Sequence, residues 1–482
     1  MAKKFYITAA IPYVNSLPHV GHALEFVQAD TIARYHKLLG EEVILLSGGD
    51  ENALKNVQAA EKEGEEVQAF VDKNTENFLE LTKKLNCEFD VWQKGSNQKV
   101  HFPASQKLWD LCDKAGDIYK KTYGGLYCVG CEAFYTTDEL NDKGECFEHP
   151  GKKLETVSEE NYFFKLSRYQ KQLVELIESD KLKIDPEERK NEMLSFLKEP
   201  LQDISISRSN ERAKNWGVPV LNDPTQRLYV WFDALNIYQS GIGFGWNDEK
   251  YKKWWPADLH VIGKGITRFH AIYWPAFLLS ADLELPKALF VHGYFTVNGQ
   301  KMSKTLGNVI DPTDMIEKYG ADSLRYYLLA KFNPFTDGDF SEEKLKDVYN
   351  GELANNLGNL VSRSAKLIEN SNLDIKKLTL KTPKKLSLQG VVDNIELFRF
   401  DKALEYINFS IGVLNNYISE SEPWKKENLH KSEILCNIIN RIRQIAFDLQ
   451  PFLPITSKQI LKQFNGTANG KIESGTPLFP RL

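Results

Sequence analysis

Residues 11–22, Ile-Pro-Tyr-Val-Asn-Ser-Leu-Pro-His-Val-Gly-His, join the short apolar run Phe5–Thr8 to a helical pattern that continues to about Leu39. The order strand, turn, helix is typical of nucleotide-binding α/β sheets, in which phosphates bind at the helix N-terminus. Gly21 allows a nucleotide to approach the backbone, and His19 and His22 can donate hydrogen bonds to phosphate oxygens. Histidine pairs of this kind are more often metal ligands or ordinary surface residues, so the motif alone leaves the function open.

A second motif, Lys-Met-Ser-Lys-Thr at residues 301–305, lies far downstream of the histidines. Asn298-Gly299 precedes it and Leu306-Gly307 follows it, which predicts a flexible loop that carries two lysines. Alone, such a loop is usually a solvated surface feature. Coincidence poorly explains the occurrence of both motifs in one chain.

Together, the two motifs resemble the signature pair of the class I aminoacyl-tRNA synthetases. That family usually has His-Ile-Gly-His and Lys-Met-Ser-Lys-Ser, so Val20 and Thr305 are departures. Within the class, the chain is similar to the methionyl-tRNA synthetases from its first strand to its last helices. The resemblance implies that methionine and ATP form methionyl-adenylate, and that the methionyl group then passes to the 3′ end of the methionine tRNA. It also implies that magnesium accompanies ATP.

The resemblance assigns both motifs to the nucleotide. The residues that it implies for catalysis are His19, His22, Lys301 and Lys304. Those that it implies for ATP binding are Gly21, Gly263 and Ser303, together with the same histidines and lysines. Gly265 stands where an aspartate is common in the family. Because the lysine loop is flanked by glycines, we expect it to close over ATP.

The methionine pocket implied by the resemblance lies where strands of the predicted sheet end. Asp50, in Ser-Gly-Gly-Asp-Glu-Asn (residues 47–52), follows the strand Glu42–Ser47 and is expected to hold the substrate ammonium, although an aspartate here could equally be a helix cap. The remaining pocket positions are Ile11, Tyr13, Trp231, Ala234, Tyr238, Ile266 and His270. Departures from the family pattern near the pocket are Gly49, Asn52, Ala53 and Leu235.

Two pairs of metal-ligating residues bracket a short loop in the middle of the chain. Each pair has two intervening residues, and the pairs are Cys128 with Cys131 and Cys146 with His149. This is tetrahedral zinc spacing with four protein ligands, which predicts a structural zinc site; buried cysteines are the alternative. Methionyl-tRNA synthetases carry a zinc knuckle in an inserted segment, and this chain resembles their single-knuckle form.

The length of the chain predicts several domains, and its charge is unevenly distributed between them. At 482 residues it is long enough for several cores, and residues 351–482 hold 18 Lys+Arg against 13 Asp+Glu although the whole chain has a net charge of -5. A basic C-terminal part is typical of an RNA-contacting module, but helices with solvated lysines explain it equally well. Helical periods cover Leu353–Ile368, Val391–Leu414, Ile434–Leu449 and Ser457–Phe464, with a lysine-rich connection at Leu373–Leu388.

We therefore predict an α/β protein. Its Rossmann-type, doubly wound parallel sheet carries an inserted zinc-knuckle domain, and an all-α bundle follows. The predicted segments are 1–115 and 226–295 for the two catalytic halves, 116–225 for the insertion, 296–345 for a linker with the lysine loop, and 346–482 for the helical anticodon-binding domain. By resemblance, Asn359, Arg363 and Trp424 read the anticodon; a solvated helix face and a packing anchor are the alternatives.

Further expectations concern compartment, assembly and rival functions. No apolar run reaches membrane-spanning length, and six cysteines with one cluster favour a reduced, cytoplasmic protein. The chain ends after the helical segment, without the appended module of some relatives, which favours a monomer. Three rival functions remain: a class I synthetase for another amino acid, a nucleotidylyltransferase, and a zinc-containing RNA-binding paralogue without catalysis. ATP–pyrophosphate exchange with a panel of amino acids separates them.

Overall fold

The computed structural model describes residues 3–128, 133–135, 140–147, 151–152, 154–297, 299–302, 307–371, 373–387, 389–425, 428–468 and 470–482. The chain forms two compact units. The first unit comprises Met1–Pro18, Glu42–Glu80 and Phe89–His292; the second comprises His19–Glu41, Leu81–Glu88 and Gly293–Leu482. Among the described residues, none of the helices combines the length and apolarity needed to cross a membrane.

Strands occur in both units. In chain order they are β1 (Lys4–Ala9), β2 (Glu42–Gly49), β3 (Val91–Lys94), β4 (Ile118–Cys128), β5 (Ala133–Tyr135), β6 (Glu155–Phe164), β7 (Lys183–Asp185), β8 (Ile204–Ser205), β9 (Ser207–Ser209), β10 (Pro219–Val220), β11 (Asp223–Leu228), β12 (Leu259–Gly263), β13 (Ala288–His292), β14 (Phe295–Val297), β15 (Gln300–Lys301) and β16 (Gly338–Phe340).

Helices cover most of the remaining described chain. They are α1 (Val20–Leu38), α2 (Leu54–Glu63), α3 (Val67–Lys84), α4 (His101–Lys114), α5 (Gln170–Glu178), α6 (Glu187–Phe196), α7 (Val230–Ala234), α8 (Ile237–Ser240), α9 (Asp248–Trp254), α10 (Trp274–Ser280), α11 (Pro312–Tyr319), α12 (Ala321–Ala330), α13 (Glu342–Val348), α14 (Asn359–Glu369), α15 (Gln389–Glu396), α16 (Phe400–Ser421), α17 (Asn428–Asp448) and α18 (Pro454–Phe464). Short 3₁₀ turns include Lys264–Ile266 and Pro423–Lys425, and π-helical turns occupy Phe269–Tyr273 and Tyr349–Gly358.

A six-stranded parallel sheet forms the centre of the first unit. Its strand order is β3-β2-β1-β12-β13-β7, and β1 pairs with β2 on one side and β12 on the other. The four central strands, β1, β2, β12 and β13, are mainly apolar because both faces of the middle of such a sheet are buried. The predicted parallel α/β sheet is therefore confirmed, and the carboxyl ends of its strands share one edge.

Two features of the first unit were not apparent in the sequence. Strand β7 lies inside segment 116–225, the predicted insertion, yet it is the edge strand of the parallel sheet, where it pairs with β13. The apolar run Leu228–Ala234 predicts a strand that leads into a helix, but the structure shows the end of β11 followed at once by helix α7. Its five helical residues are all buried, so the run has no exposed face from which a helical period could be recognised.

The second unit is mainly helical in its described residues. The predicted helix Val391–Leu414 is in fact two helices, α15 and α16, which are separated at Phe398. Phe398 has a left-handed backbone (φ 57°), and the Arg399 guanidinium turns to bond the Asp401 carboxylate of the next helix. Apolar side chains continue the helical period across the break, which explains why the sequence alone suggests one helix.

A buried ion pair links distant segments of the second unit. The guanidinium of Arg325 on α12 lies 2.8 Å from the Asp30 carboxylate on α1, and both side chains are fully buried. Asp30 also bonds Arg34 at 2.7 Å, while Arg325 donates to the carbonyl oxygens of Phe452 (2.8 Å) and Pro451 (3.1 Å). Since each charge is compensated, the cluster can fix α1 against α12 and the turn before α18.

Candidate active site

The N-terminus of α1 is capped by its own histidines. His19 is the N-cap residue, and its Nδ1 accepts a hydrogen bond from the Gly21 N–H at 3.1 Å. The His22 Nδ1 accepts reciprocally from the His19 N–H at 3.1 Å. The two rings stack with centroids 3.9 Å apart and an interplanar angle of 28°. Two imidazoles thus form the capping box that Ser or Thr and Glu usually form.

This cap determines which ring nitrogen is available. A backbone N–H can only donate, so both Nδ1 atoms are unprotonated and each neutral ring carries its proton on Nε2. Burial lowers the pKa of His19 to about 4, and burial, reinforced by His19, holds the pKa of His22 well below its usual value. Near neutral pH both rings are therefore uncharged and carry the Nε2–H form of imidazole, a group that can donate to a phosphate oxygen.

Both sequence motifs approach the same end of α1. A Cβ placed on Gly21 would lie 2.9 Å from the His19 ring and 3.7 Å from the Met302 methyl group, so the site has room only for glycine. The Val20 N–H donates to the Ile310 carbonyl at 3.2 Å. Met302 of the lysine motif and Ile310, which follows the motif, therefore both lie beside the histidine cap. The Lys301 side chain, Ser303, Lys304 and Thr305 lie outside the described part of the chain.

In the first unit, Asp50 follows β2 at the carboxyl edge of the parallel sheet. Its N–H donates to the Pro12 carbonyl at 2.9 Å, and Asp50 and Tyr13 form an isolated parallel bridge. The Asn56 amide donates to the Asp50 carbonyl at 2.7 Å. The Asp50 side chain is almost fully buried, and the Lys55 ammonium lies 3.0 Å from the Tyr13 ring centroid. The segments around Asp50 and Tyr13, predicted to line one pocket, are thus adjacent.

Aromatic rings from three elements meet nearby in the first unit. Trp231 stacks on Phe269, with ring centroids 3.7 Å apart and an angle of 6°. The Tyr13 and His270 rings each lie 6.4 Å from Trp231, both edge-on. Phe269 was not predicted from the sequence as a pocket residue, because an aromatic residue in an apolar helical run is usually core. Its position directly before His270 was the available signal.

His270 holds a fixed tautomer. Its Nδ1 lies 3.0 Å from the Ile266 carbonyl, which can only accept, and its Nε2 lies 2.8 Å from the Tyr238 hydroxyl. Burial lowers the pKa of His270 to about 4, so the ring is neutral, Nδ1 is protonated and Nε2 accepts from Tyr238. Ala234 is buried, while Ile11 and Ile266 are half-buried against the same core.

Asn52, a departure from the family pattern, has a structural role. Its amide donates to the Asp233 carboxylate at 2.6 Å and to the Gly95 carbonyl at 2.8 Å. The other Asp233 oxygen accepts from His101 at 2.7 Å and from Ser105 at 2.8 Å. This buried network connects the loop after Asp50 to α7, which carries Trp231 and Ala234. The roles of His101 and Asp233 were not predicted from the sequence, since neither residue belongs to a recognisable motif.

Leu235, another departure from the family pattern, and the glycine turn at residues 263–265 are buried or half-buried. Leu235 is buried in the core, and Gly263, the last residue of β12, is buried and pairs with His292 of β13. Gly265 is half-buried in the 3₁₀ turn that follows.

The three predicted anticodon residues converge in the second unit. Asn359 and Arg363 are exposed on α14, one turn apart. Trp424 is 48% exposed, and the Arg363 guanidinium lies 5.7 Å from its ring centroid. An exposed indole beside an arginine offers a stacking surface for an unpaired base.

The predicted zinc ligands are only partly described. Cys128, at the end of β4, and Cys146 are both almost fully buried. Cys131 and His149 lie outside the described residues. Within the described ranges there is no group of three potential metal ligands, so the described residues do not by themselves complete the predicted site. Two buried thiols suit zinc but also fit simple packing.

Comparison with known proteins defines the class and then the family. The family model described as tRNA synthetases class I (M) matches residues 5–365. A methionine–tRNA ligase of Thermotoga maritima is 41% identical over 480 residues, covering 95% of this chain and 75% of that protein. That of Brucella suis is 37% identical and covers 99% of this chain and 98% of its own length. The chain belongs to the methionine–tRNA ligase family.

Solved structures agree with this assignment. Mycobacterium tuberculosis methionyl-tRNA synthetase in complex with methionyl-adenylate superposes with a TM-score of 0.90 at 35% identity, covering 99% of this chain and all of that one. The apo form of that enzyme gives a TM-score of 0.82 at 32% identity, covering 100% of this chain and 99% of that one. The family resemblance stated from the two sequence motifs is therefore confirmed.

Proposed function

We propose that the protein activates methionine with ATP and charges the methionine tRNA. The methionine carboxylate attacks the α-phosphorus of ATP, the bond to the β-phosphate oxygen breaks, and pyrophosphate leaves with the bond electrons. The 3′-terminal ribose hydroxyl of the tRNA then attacks the methionyl carbonyl and releases AMP. The observation that carries the proposal is the match, over nearly the whole chain, to an enzyme solved with methionyl-adenylate.

The first step needs no protein base, because a carboxylate is already a nucleophile. Catalysis then depends on positioning and on stabilising charge as it develops on the phosphates. His19 and His22 donate their Nε2–H groups to the α-phosphate region, while Gly21 and Gly263 admit the nucleotide. Lys301, Ser303 and Lys304 hold the departing pyrophosphate. Magnesium bound with ATP supplies further neutralisation of the phosphate charge.

The residues proposed for the methionine site all belong to the first unit. Asp50 pairs with the substrate ammonium, and the thioether side chain packs against aromatic and apolar groups, to which sulfur is well suited. These groups are Ile11, Tyr13, Trp231, Ala234, Tyr238, Ile266, Phe269 and His270. Since His270 is neutral and its Nε2 is used by Tyr238, the pair provides a polar edge without a charge.

Two further assignments complete the proposal. Asn359, Arg363 and Trp424 contact the anticodon, the indole by stacking and the polar pair by bonding base edges. Cys128, Cys131, Cys146 and His149 hold a structural zinc ion, which would fix the loop between β4 and β6. The cytoplasmic location, the monomeric state and the segment boundaries stay predictions.

ATP–pyrophosphate exchange with each of the common amino acids tests the function directly. We expect exchange with methionine and little with other amino acids. Strong exchange with a different amino acid would reassign the substrate. A nucleotidylyltransferase or a non-catalytic RNA-binding protein would show no amino-acid-dependent exchange.

A further inference from the structure

One basic segment of the second unit has no role in the proposed reaction. We call residues 375–387 the lysine segment. It carries five exposed lysines, which are Lys376, Lys377, Lys381, Lys384 and Lys385. The only acidic residue between positions 371 and 390 is Asp374. The segment is therefore a concentrated positive charge on a chain whose net charge is negative.

These lysines differ from others in the same unit. Lys366, Lys402 and Lys425 each pair with a glutamate three residues away, at 2.8 Å. By contrast, none of the five lysines forms an ion pair with any residue that the structure describes. Their charge is thus left for an external anion.

Two carboxylates accept hydrogen bonds from the backbone of the lysine segment. Asp374 accepts from the Lys376 N–H at 3.0 Å. Asp448 accepts from the Ser387 N–H and from the Gln444 amide, both at 2.9 Å, and burial raises its pKa. These acidic groups hold the chain in place.

The lysine segment is held along one face of α17. The Lys381 N–H donates to Asn440 at 2.8 Å, the Gln444 amide donates to the Lys385 carbonyl at 3.0 Å, and Ser387 bonds Asp448. Asn440, Gln444 and Asp448 are four residues apart, so they share one helix face. Ile375 is anchored separately, by its N–H to the Gly470 carbonyl at 2.9 Å. The lysines are consequently displayed from an ordered backbone.

Helix α17 also relates the segment to the anticodon residues. The turn that carries Trp424 directly precedes α17, whereas the contacts with the lysine segment run from Cys436, whose thiol lies 3.8 Å from the Thr379 carbonyl, through Asn440 to Asp448. At 1.5 Å per residue, Asn440 lies about 18 Å and Asp448 about 30 Å from the start of the helix. An exposed aromatic residue thus precedes the helix, and the backbone that carries Lys381, Lys384 and Lys385 runs along its later turns.

We propose that the lysine segment binds the phosphate backbone of the tRNA. This inference rests on the proposed function, in which tRNA is a substrate, and adds a contact surface to it. Ammonium groups neutralise phosphates without reading sequence, which suits a stem whose bases are already paired. An anionic membrane is a less suitable partner, because Leu378, Leu380 and Leu386 are half-buried and the segment has no exposed apolar face to insert.

The test compares two triple variants with equal charge. The first is Lys381→Gln, Lys384→Gln and Lys385→Gln. The control is Lys114→Gln, Lys171→Gln and Lys287→Gln, three exposed lysines of the first unit that are paired with acidic residues. Affinity for methionine tRNA is measured from 50 to 300 mM KCl, together with methionine-dependent ATP–pyrophosphate exchange. Because all six side chains are exposed, we expect both variants to fold normally.

Each phosphate contact adds roughly 0.7 to 0.9 to the slope of log affinity against log salt. The first variant should therefore lose about 2 units of slope and bind tRNA at least tenfold more weakly at 100 mM KCl, while the control keeps the wild-type slope. Exchange should be unchanged in both. An unchanged slope in the first variant would overturn the inference and leave the proposed function intact. Absence of exchange in the wild type would instead refute the proposed function.

A second measurement, of binding to vesicles of phosphatidylserine and phosphatidylcholine, tests whether the lysine segment binds a membrane instead of tRNA. If the first variant lost vesicle binding while retaining the wild-type salt slope for tRNA, the segment would be a membrane-binding surface and the inference would be wrong. If neither protein bound vesicles and only the tRNA slope fell, the inference would be supported.

Discussion

At the scale of single residues, His19 combines two tasks that substitutions can separate. Its Nδ1 caps α1 and its Nε2 is left to donate. Asparagine and aspartate can both cap a helix, whereas alanine cannot, and only asparagine retains a donor.

We expect His19→Ala to lose about 1 kcal/mol of unfolding free energy through loss of the cap, while His19→Asn and His19→Asp lose less. Exchange should fall at least a hundredfold in His19→Ala and His19→Asp, with His19→Asn retaining more activity than either. Thermal melts and exchange kinetics measure the two effects. If activity followed helix stability across the three variants, the donor role would be wrong.

His270 makes stability depend on pH in a defined direction. Its folded-state pKa is about 4, below the unfolded value of about 6.5, so the unfolded chain binds more protons between these pH values. The stabilisation is fully present above pH 6.5 and is lost as the pH falls from 6.5 through about 4, and it amounts to roughly 3 kcal/mol at most. Burial also lowers the pKa of His19, His22 and His260, so these three histidines contribute in the same direction.

Replacing His270 by glutamine should therefore flatten the fall in melting temperature between pH 7 and pH 4.5. Glutamine can still bond Ile266 and Tyr238. The control is His430→Gln, because His430 is exposed. An equal flattening in both variants would show that burial of His270 is not the cause.

At the scale of elements, the Asn52 network fixes a loop to a helix. Asn52→Asp would place a carboxylate against Asp233, whose oxygen is now 2.6 Å from the Asn52 amide. We expect lower stability and at least a tenfold rise in KM for methionine, with KM for ATP changed much less. Like charges at this distance repel strongly in a buried site.

The reversed pair provides the control. In Asn52→Asp with Asp233→Asn, the new amide donates to the new carboxylate, and its oxygen can still accept from His101 and Ser105. KM for methionine should recover at least partly. Purely additive effects of the two substitutions would contradict the proposed link between the Asp50 loop and α7.

The sequence predicted strands and helices well where a single pattern of apolar residues extends over the whole strand or helix. Phe5–Thr8, Glu42–Ser47 and the helix from Gly21 agree with β1, β2 and α1 within a few residues. Prediction from the sequence failed where contacts with distant residues decide the local structure. Strand β7 has three residues and depends on β13, α7 is buried on all sides, and the break at Phe398 leaves the apolar period intact.

For the molecule as a whole, the sequence motifs predicted the family. The structure added the hydrogen bonds that set the tautomers of the histidines and the contacts between residues far apart in sequence. The two signature motifs were sufficient to indicate a class I synthetase. They could not show that the histidines cap each other through Nδ1, because tautomers follow from hydrogen bonds rather than from sequence. Similarly, Phe269, His101 and Asp233 were missed, since a contact between distant positions leaves no trace in one sequence.

The central claim is that the histidine cap and the lysine loop act on the same ATP. Its most direct test is methionine-dependent ATP–pyrophosphate exchange by Lys304→Ala, with Lys344→Ala, an exposed lysine outside the motif, as the matched control. We expect at least a hundredfold loss of exchange for Lys304→Ala, an unchanged melting temperature, and normal exchange for Lys344→Ala. Normal exchange by Lys304→Ala would contradict the claim.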